Sequence, residues 1–99
     1  MCYYINMIKS FTCKESEKIY SRQFSKKLPQ SIQKKAYMKL LMIDAAYCLD
    51  DLKIPPANFL ERLTGNREGE YSIRINKQYR ICFHFENGDA FNIEIVDYH

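Results

Sequence analysis

The sequence lacks several features that would place it in a common class at once. No run approaches the roughly 18–20 consecutive apolar residues that a membrane span requires, so we expect no membrane-spanning segment and no membrane partner. The four cysteines have no C-x-x-C spacing, which argues against a zinc site or a disulfide framework. The first six residues have no basic start and no small-residue cleavage pattern. We therefore expect a cytoplasmic protein without a secretory signal.

What is present fits one small domain. A chain of 99 residues is long enough for one modest core and too short for two, so we expect a single domain over residues 1–99. The net charge of +3 hides an asymmetry, because nine Lys and Arg face two Glu up to Lys39, whereas six basic residues face ten acidic ones afterwards. The basic first half, which includes Lys34 and Lys35, is either a phosphate-binding surface or a solvated helix face.

The first half of the chain reads as one strand and two helices. We predict a short strand over residues 7–12 and a helix over about 15–24. Ser31 is a suitable cap for a longer helix that ends near Leu52, before a pair of prolines. Its apolar positions recur every three or four residues, at Ile32, Ala36, Leu40, Ile43 and Tyr47.

The second half changes to a period of two. Apolar and polar residues alternate over residues 71–76, 79–85 and 91–96. This pattern predicts three half-buried strands in a meander, and matching their apolar faces places Ile75 opposite Tyr79 and Phe85 opposite Phe91. We therefore predict an α+β fold with two N-terminal helices packed on a mostly antiparallel sheet, formed by one N-terminal strand and a C-terminal three-stranded meander.

This register brings two arginines together. Arg74 lies directly across from Arg80 on the polar face, and like charges in that position destabilise a strand pair unless an anion lies between them. The planar guanidinium group suits phosphate oxygens, and Tyr98 shares the same parity. Two interpretations stand: the face binds phosphate, or the arginines are solvated or paired with Glu70 and Glu94.

The chain ends on Asp97, Tyr98 and His99, directly after an apolar alternating segment. Imidazole suits proton transfer near neutral pH, and a neighbouring carboxylate can orient it. The alternative is that this tail only covers a sheet edge. Upstream of the meander, a loop with two glycines places Arg67 near the start of a strand.

Four separated blocks resemble one family in the right order: residues 7–11, 65–74, 79–83 and 97–99. They are similar to the HigB toxins, also called plasmid maintenance system killer proteins, of the RelE superfamily. The resemblance implies a RelE-like microbial RNase fold and a toxin of a type II toxin-antitoxin system. Such a toxin is a ribosome-dependent mRNA endonuclease that cleaves the message in the 30S A site, inhibits translation and uses no metal or cofactor. Residues 1–6 precede the usual start and are expected to be an N-terminal extension.

The resemblance also implies roles for individual residues. Asp97, Tyr98 and His99 match the catalytic tail of the family, and Arg80 matches an arginine in the strand that faces it. Arg67 matches a phosphate contact. We predict an RNA-binding surface that consists of Arg67, Arg74, Lys77, Lys34 and Lys35.

One segment departs from the family pattern. Glu61 stands where well-studied relatives have a histidine, and Thr64 stands where they have a lysine. Glu61 is therefore a candidate catalytic base with His99 as the acid, or it only forms a salt bridge with Arg62 or Arg67. The departure leaves an alternative function open, namely a catalytically weak protein of the same fold that occupies the ribosome or joins a repressor complex.

The implied partners follow from the same resemblance. They are a HigA-like helix-turn-helix antitoxin, the ribosome and mRNA, with operator DNA contacted only through the antitoxin. The residues alone do not choose between the basic first half and the acidic second half as the surface that the antitoxin covers.

Overall fold

The computed structural model describes residues 8–97, in which two helices precede four strands. Short 3-10 turns lie at Leu49–Lys53, Pro56–Asn58 and Gly65–Arg67. The helices are α1 (Lys14–Tyr20) and α2 (Gln30–Ala45), and the strands are β1 (Glu61–Arg62), β2 (Tyr71–Arg74), β3 (Tyr79–Glu86) and β4 (Asp89–Asp97). The expected N-terminal extension, residues 1–6, lies outside the described residues.

The four strands form one antiparallel sheet in the order β1-β2-β3-β4. The predicted meander of β2, β3 and β4 is confirmed, and Arg74 pairs with Arg80 as its register requires. Strand β1 was not predicted. Its two residues pair with Tyr71 and Ser72, which places Glu61 directly opposite Ser72.

The register at the β3–β4 hairpin differs from the prediction. Ile81 pairs with Ile95, but Phe85 pairs with Ala90 instead of Phe91. A bulge causes the shift: Asn92 has a φ of 55°, and it is an extra residue on β4. The turn itself is shorter than predicted, because Asn87 and Gly88 both have positive φ, as a two-residue type I′ turn requires.

The N-terminal segment lies parallel to β4 and contacts it at two isolated bridges. Ile8 pairs with Ala90, and Phe11 pairs with Ile93. Between them the Ser10 hydroxyl accepts a hydrogen bond from the backbone N–H of Asn92, at the bulge. The strand predicted over residues 7–12 is thus present within residues 8–97 only as these bridges, because the bulge interrupts a regular ladder.

Both helices are shorter than the sequence predicts. Helix α1 ends at Tyr20, and Arg22 adopts a φ of 64°, which no α-helix continues. Helix α2 begins directly after Pro29 and ends at Ala45. The Asp51 carboxylate accepts hydrogen bonds from the backbone N–H groups of residues 47 and 48, at 2.9 and 3.4 Å, and so caps a new turn where the helix was expected to continue.

The helices cover one face of the sheet and leave the other for the site. Except at the bulge of β4, every second strand residue faces the helices, where the core contains Ile32, Ala36, Leu40 and Ile43 of α2 and Ile73, Ile81, Phe83 and Ile93 of the sheet. The predicted α+β architecture of two helices on a mostly antiparallel sheet is confirmed. Within residues 8–97, no helix is both long and apolar enough to cross a membrane.

Candidate active site

The sheet face that points away from the helices presents a row of side chains from all four strands. Glu61, Ser72, Cys82 and Glu94 are successive partners across the sheet. Ser72 and Cys82 have no exposed surface, so this face is covered at its centre. Burial, more than any nearby charge, raises the pKa of the Cys82 thiol to about 11, which keeps the thiol protonated.

Arg80 lies beside this row, and its partners include Ser72, Phe59 and Glu61. Its side chain is only 7% exposed, and its Nε donates to the Ser72 hydroxyl at 2.8 Å. Its Nη2 donates to the Phe59 carbonyl at 2.6 Å and lies 2.9 Å from the Glu61 carboxylate. The alternative role considered for Glu61, a salt bridge with Arg62 or Arg67, is wrong in its partner, because the short strand β1 brings Glu61 to Arg80 instead.

Arg67 lies in the turn that precedes β2 and spans two carboxylates. Its guanidinium contacts Glu70 at 3.1 Å and Glu94 at 3.0 Å. Burial alone lowers the pKa of Arg67, but the hydrogen bond and charge of Glu94 outweigh it, so the pKa is raised. From the sequence, Glu70 and Glu94 are candidate partners of Arg74 and Arg80, but in the structure both contact Arg67.

A hollow of about 280 Å³ opens beside these groups. Its walls are formed by β1 and the following turn, with Glu61, Arg62, Leu63, Thr64, Asn66 and Arg67 as lining residues. We call this hollow the cleft. It brings together Glu61, Thr64 and Arg67, which the sequence had singled out separately, and the ion pair of Glu61 connects it to Arg80.

The end of the chain is described only as far as Asp97. This carboxylate accepts hydrogen bonds from the side-chain amide of Gln78, at 3.2 and 3.1 Å. Asp97 pairs with Tyr79, which packs against the core, so its register position belongs to the helix-covered face and not to the face of Arg80. Tyr98 and His99 lie outside the described residues.

The remaining residues of the predicted RNA-binding surface lie in two other places. Lys35, Arg74 and Lys77 line a second hollow of about 290 Å³ beside the end of β2. Lys34 instead lines a groove between α1 and α2. Because residues 34 and 35 point to different sides of one helix, the predicted surface is not continuous.

Sequence reasoning missed Phe59, whose carbonyl holds Arg80. The residue adopts a left-handed conformation, with φ 46° and ψ 55°, and its ring lies under the Arg74 guanidinium at 4.5 Å. No sequence signal marks this position, because bulky residues rarely adopt a positive φ. Among residues 8–97, no group of three or more His, Cys, Asp or Glu side chains is arranged to hold a metal ion.

Known proteins resemble this chain in both sequence and structure. "Toxin HigB-1" of Vibrio cholerae is 48% identical over 65 residues, which is 66% of this chain and 68% of that protein. "Endoribonuclease HigB" of Proteus vulgaris is 33% identical over 93 residues, which is 94% of this chain and all of that protein. The toxin-antitoxin complex YoeB-YefM from Staphylococcus aureus contains a chain that superimposes with a TM-score of 0.60 at 23% identity, covering 93% of this chain and 94% of that one.

The structural likeness confirms the RelE-like fold, and the sequence relatives are the evidence for the family. The family model described as "RelE-like toxin of type II toxin-antitoxin system HigB" matches residues 9–99, which is nearly the whole chain. The chain therefore belongs to the HigB-like family of RelE-like toxins of type II toxin-antitoxin systems.

Proposed function

We propose that this protein is an endoribonuclease that cleaves messenger RNA in the ribosomal A site and so inhibits translation. The observation that carries the proposal is the pair of Arg80 and Glu61 at the cleft, where an immobilised cation lies 2.9 Å from a half-exposed carboxylate. A cation that stabilises charge on phosphorus and a carboxylate that accepts a proton are two of the groups that RNA cleavage requires. The relative named "Endoribonuclease HigB", all of which aligns with 94% of this chain, supports the same activity.

The chemistry assigns one role to each group. Glu61 takes the proton of the 2′-hydroxyl, the 2′-oxygen forms a bond with the adjacent phosphorus, and the bond from phosphorus to the 5′-oxygen breaks. Arg80 and Arg67 stabilise the negative charge that develops on the phosphate oxygens. His99 gives a proton to the departing 5′-oxygen. Tyr98 supports it, as the family resemblance implies, and Asp97, whose register position belongs to the helix-covered face, anchors this catalytic tail through Gln78.

The carboxylates have a second role in the resting protein. Glu61 neutralises Arg80, and Glu70 and Glu94 neutralise Arg67, so both cations are held in position before RNA arrives. A phosphate group that enters the cleft competes with Glu61 for Arg80 and leaves the carboxylate available as a base. The reaction needs a base, an acid and cations, all of which side chains supply, so we propose that it requires no metal and no cofactor.

The partners follow from the family. We propose that a HigA-like helix-turn-helix antitoxin binds and neutralises the protein in the cytoplasm, and that operator DNA is contacted only through this antitoxin. Two solved structures similar to this chain are YoeB-YefM complexes, one of them described as a toxin-antitoxin heterotetramer, which supports an antitoxin partner. The basic first half of the chain suits contact with the phosphates of ribosomal RNA.

Expression with and without ongoing translation tests the proposal. We expect growth arrest, with new 5′ ends of messages that lie within codons and appear only while ribosomes translate. Arrest without such ends would contradict cleavage and favour the alternative, a weakly catalytic protein that acts by occupying the ribosome. The ion pair that engages Glu61 is the observation that keeps this alternative open.

A further inference from the structure

The second hollow, beside the end of β2, is unusually rich in positive charge. Two of its cations lie on α2, one ends β2 and one lies in the following turn: Lys35, Lys39, Arg74 and Lys77. Its other walls are mostly apolar and include Ala57, Phe59 and Ile75. We call this hollow the basic pocket. It combines cations with apolar surface in about 290 Å³.

Among residues 8–97, no carboxylate pairs with these cations. Within the described part of the chain, none of the four cations of the basic pocket forms an ion pair, whereas Arg67 and Arg80 both pair with glutamates. Four uncompensated cations around one hollow attract an anion from solution.

Lys39 is the cation of the basic pocket that is most deeply buried without a counter-ion in the described part of the chain. It is 6% exposed, and its ammonium group donates to the neutral amide oxygen of Asn58. Burial and the nearby Lys35 lower the pKa of Lys39, because both disfavour its charged form. A buried ammonium group without a counter-ion is costly, so an anion that enters the pocket would relieve a cost that the empty pocket carries.

Phe59 joins the basic pocket to the cleft. The residue is 53% exposed; its carbonyl accepts the hydrogen bond from Arg80, and its ring forms a wall of the basic pocket under the Arg74 guanidinium. Aromatic rings and arginine planes stack with nucleobases of any sequence. Phe59 therefore offers a nucleobase a stacking surface, and its backbone contacts Arg80, the arginine that we assign to the scissile phosphate.

We propose that the basic pocket binds one nucleotide of the RNA that flanks the cleavage site. Its phosphate lies among Lys35, Lys39 and Lys77, and its base packs against the stacked pair of Phe59 and Arg74. This inference rests on the proposed function, because it assigns the pocket to the same RNA. It separates an anchoring site from the cleft, in which Arg80 and Glu61 act on the bond that breaks.

Binding of a single-stranded 2′-O-methyl RNA oligonucleotide tests the pocket, because this probe has no free 2′-hydroxyl and cannot be cleaved. We expect Lys35→Gln and Lys77→Gln to weaken binding about three- to tenfold and to lower the slope of log affinity against log salt by about 0.7 each. Lys27→Gln is the matched control, since Lys27 is exposed, lies outside the basic pocket and loses the same charge. If both pocket variants keep the affinity and slope of this control, the inference is wrong.

A second variant tests the stacking surface separately from the charge. Phe59→Leu keeps an apolar side chain and the carbonyl that holds Arg80, but it removes the aromatic ring. We expect at least about fivefold weaker binding with an unchanged salt slope, because stacking does not release counter-ions. If Phe59→Leu has the circular dichroism of the wild type and binds the oligonucleotide equally well, the proposed contact between the nucleobase and Phe59 is wrong.

The proposed cleavage activity and RNA binding in the basic pocket can be refuted separately. If the wild type never cleaves messages on ribosomes, the proposed function fails, while the oligonucleotide measurement still decides whether the pocket binds RNA. If the wild type cleaves and the pocket variants behave like Lys27→Gln, the cleft stands and only the pocket is refuted.

Discussion

Replacement of Glu61 by glutamine separates the two roles that its position allows. The glutamine keeps the size of the side chain but accepts no proton from a 2′-hydroxyl and carries no charge beside Arg80. If Glu61 is the catalytic base, we expect the cleavage rate to fall by about 10²- to 10⁴-fold, the usual contribution of general acid-base catalysis.

RNA affinity should change in the opposite direction. The Glu61 carboxylate is 54% exposed and lies 2.9 Å from Arg80, so the attraction is close to its value in water, about 1.4 kcal/mol. Loss of this competing charge makes Arg80 more available to phosphate and tightens binding by up to about tenfold. Stability should change by less than about 1 kcal/mol, because the Ser72 hydroxyl and the Phe59 carbonyl still hold Arg80.

Single-turnover cleavage on programmed ribosomes and binding of an uncleavable oligonucleotide measure the two effects separately. Glu68→Gln is the matched control, since Glu68 is an exposed glutamate in the neighbouring turn and lies outside the residues that line the cleft. A variant that binds RNA more tightly and still cleaves at the wild-type rate would refute the base, and would leave Glu61 only as a counter-charge for Arg80.

Three further predictions concern the tail, the covered face and the core. His99→Ala should lower single-turnover cleavage by at least about 10²-fold and leave oligonucleotide binding unchanged; full activity would disprove its role as the acid. Cys82 has a folded-state pKa of about 11 against an ordinary value of 9.0, so its stabilising contribution is complete below pH 9 and is lost as the pH rises through 11. Urea denaturation between pH 8 and pH 11 should therefore show a smaller loss for Cys82→Ala than for the wild type, and parallel curves would contradict this. Asp44 is buried and accepts hydrogen bonds from the Ile8 backbone at 3.0 Å and the Tyr20 hydroxyl at 2.7 Å. Asp44→Ala should lower the free energy of unfolding by about 2–4 kcal/mol, whereas the exposed Asp50→Ala should change it by less than about 1 kcal/mol; equal values would show that the buried acceptor adds no stability.

The periodic elements could be predicted from the sequence because they are long enough to show their period. Alternation over β2, β3 and β4 gave the meander and the pairing of Arg74 with Arg80. Strand β1 has two residues, too few for any alternation, and it forms only because β2 offers a free edge. The bulge at Asn92 and the early end of α2 depend on side-chain hydrogen bonds of Ser10 and Asp51, which no hydrophobic pattern reveals.

The residues of the site could be predicted from the sequence, but the contacts between them could not. Arg80, Arg67 and Glu61 were singled out from register and family resemblance, yet their partners depend on β1 and on the backbone of Phe59. Because both features arise from tertiary contacts, the sequence could not show that Glu61 would bind Arg80.

Single-turnover cleavage of a defined message on programmed ribosomes by the wild type and by Arg80→Ala tests the central claim most directly. Arg80 is the cation that we assign to the scissile phosphate, and the loss of such a contact costs on the order of 3 kcal/mol of transition-state stabilisation. We predict cleavage by the wild type only when ribosomes are present, and a rate at least about 100-fold lower for a folded Arg80→Ala variant. Equal rates for the two proteins would contradict the account.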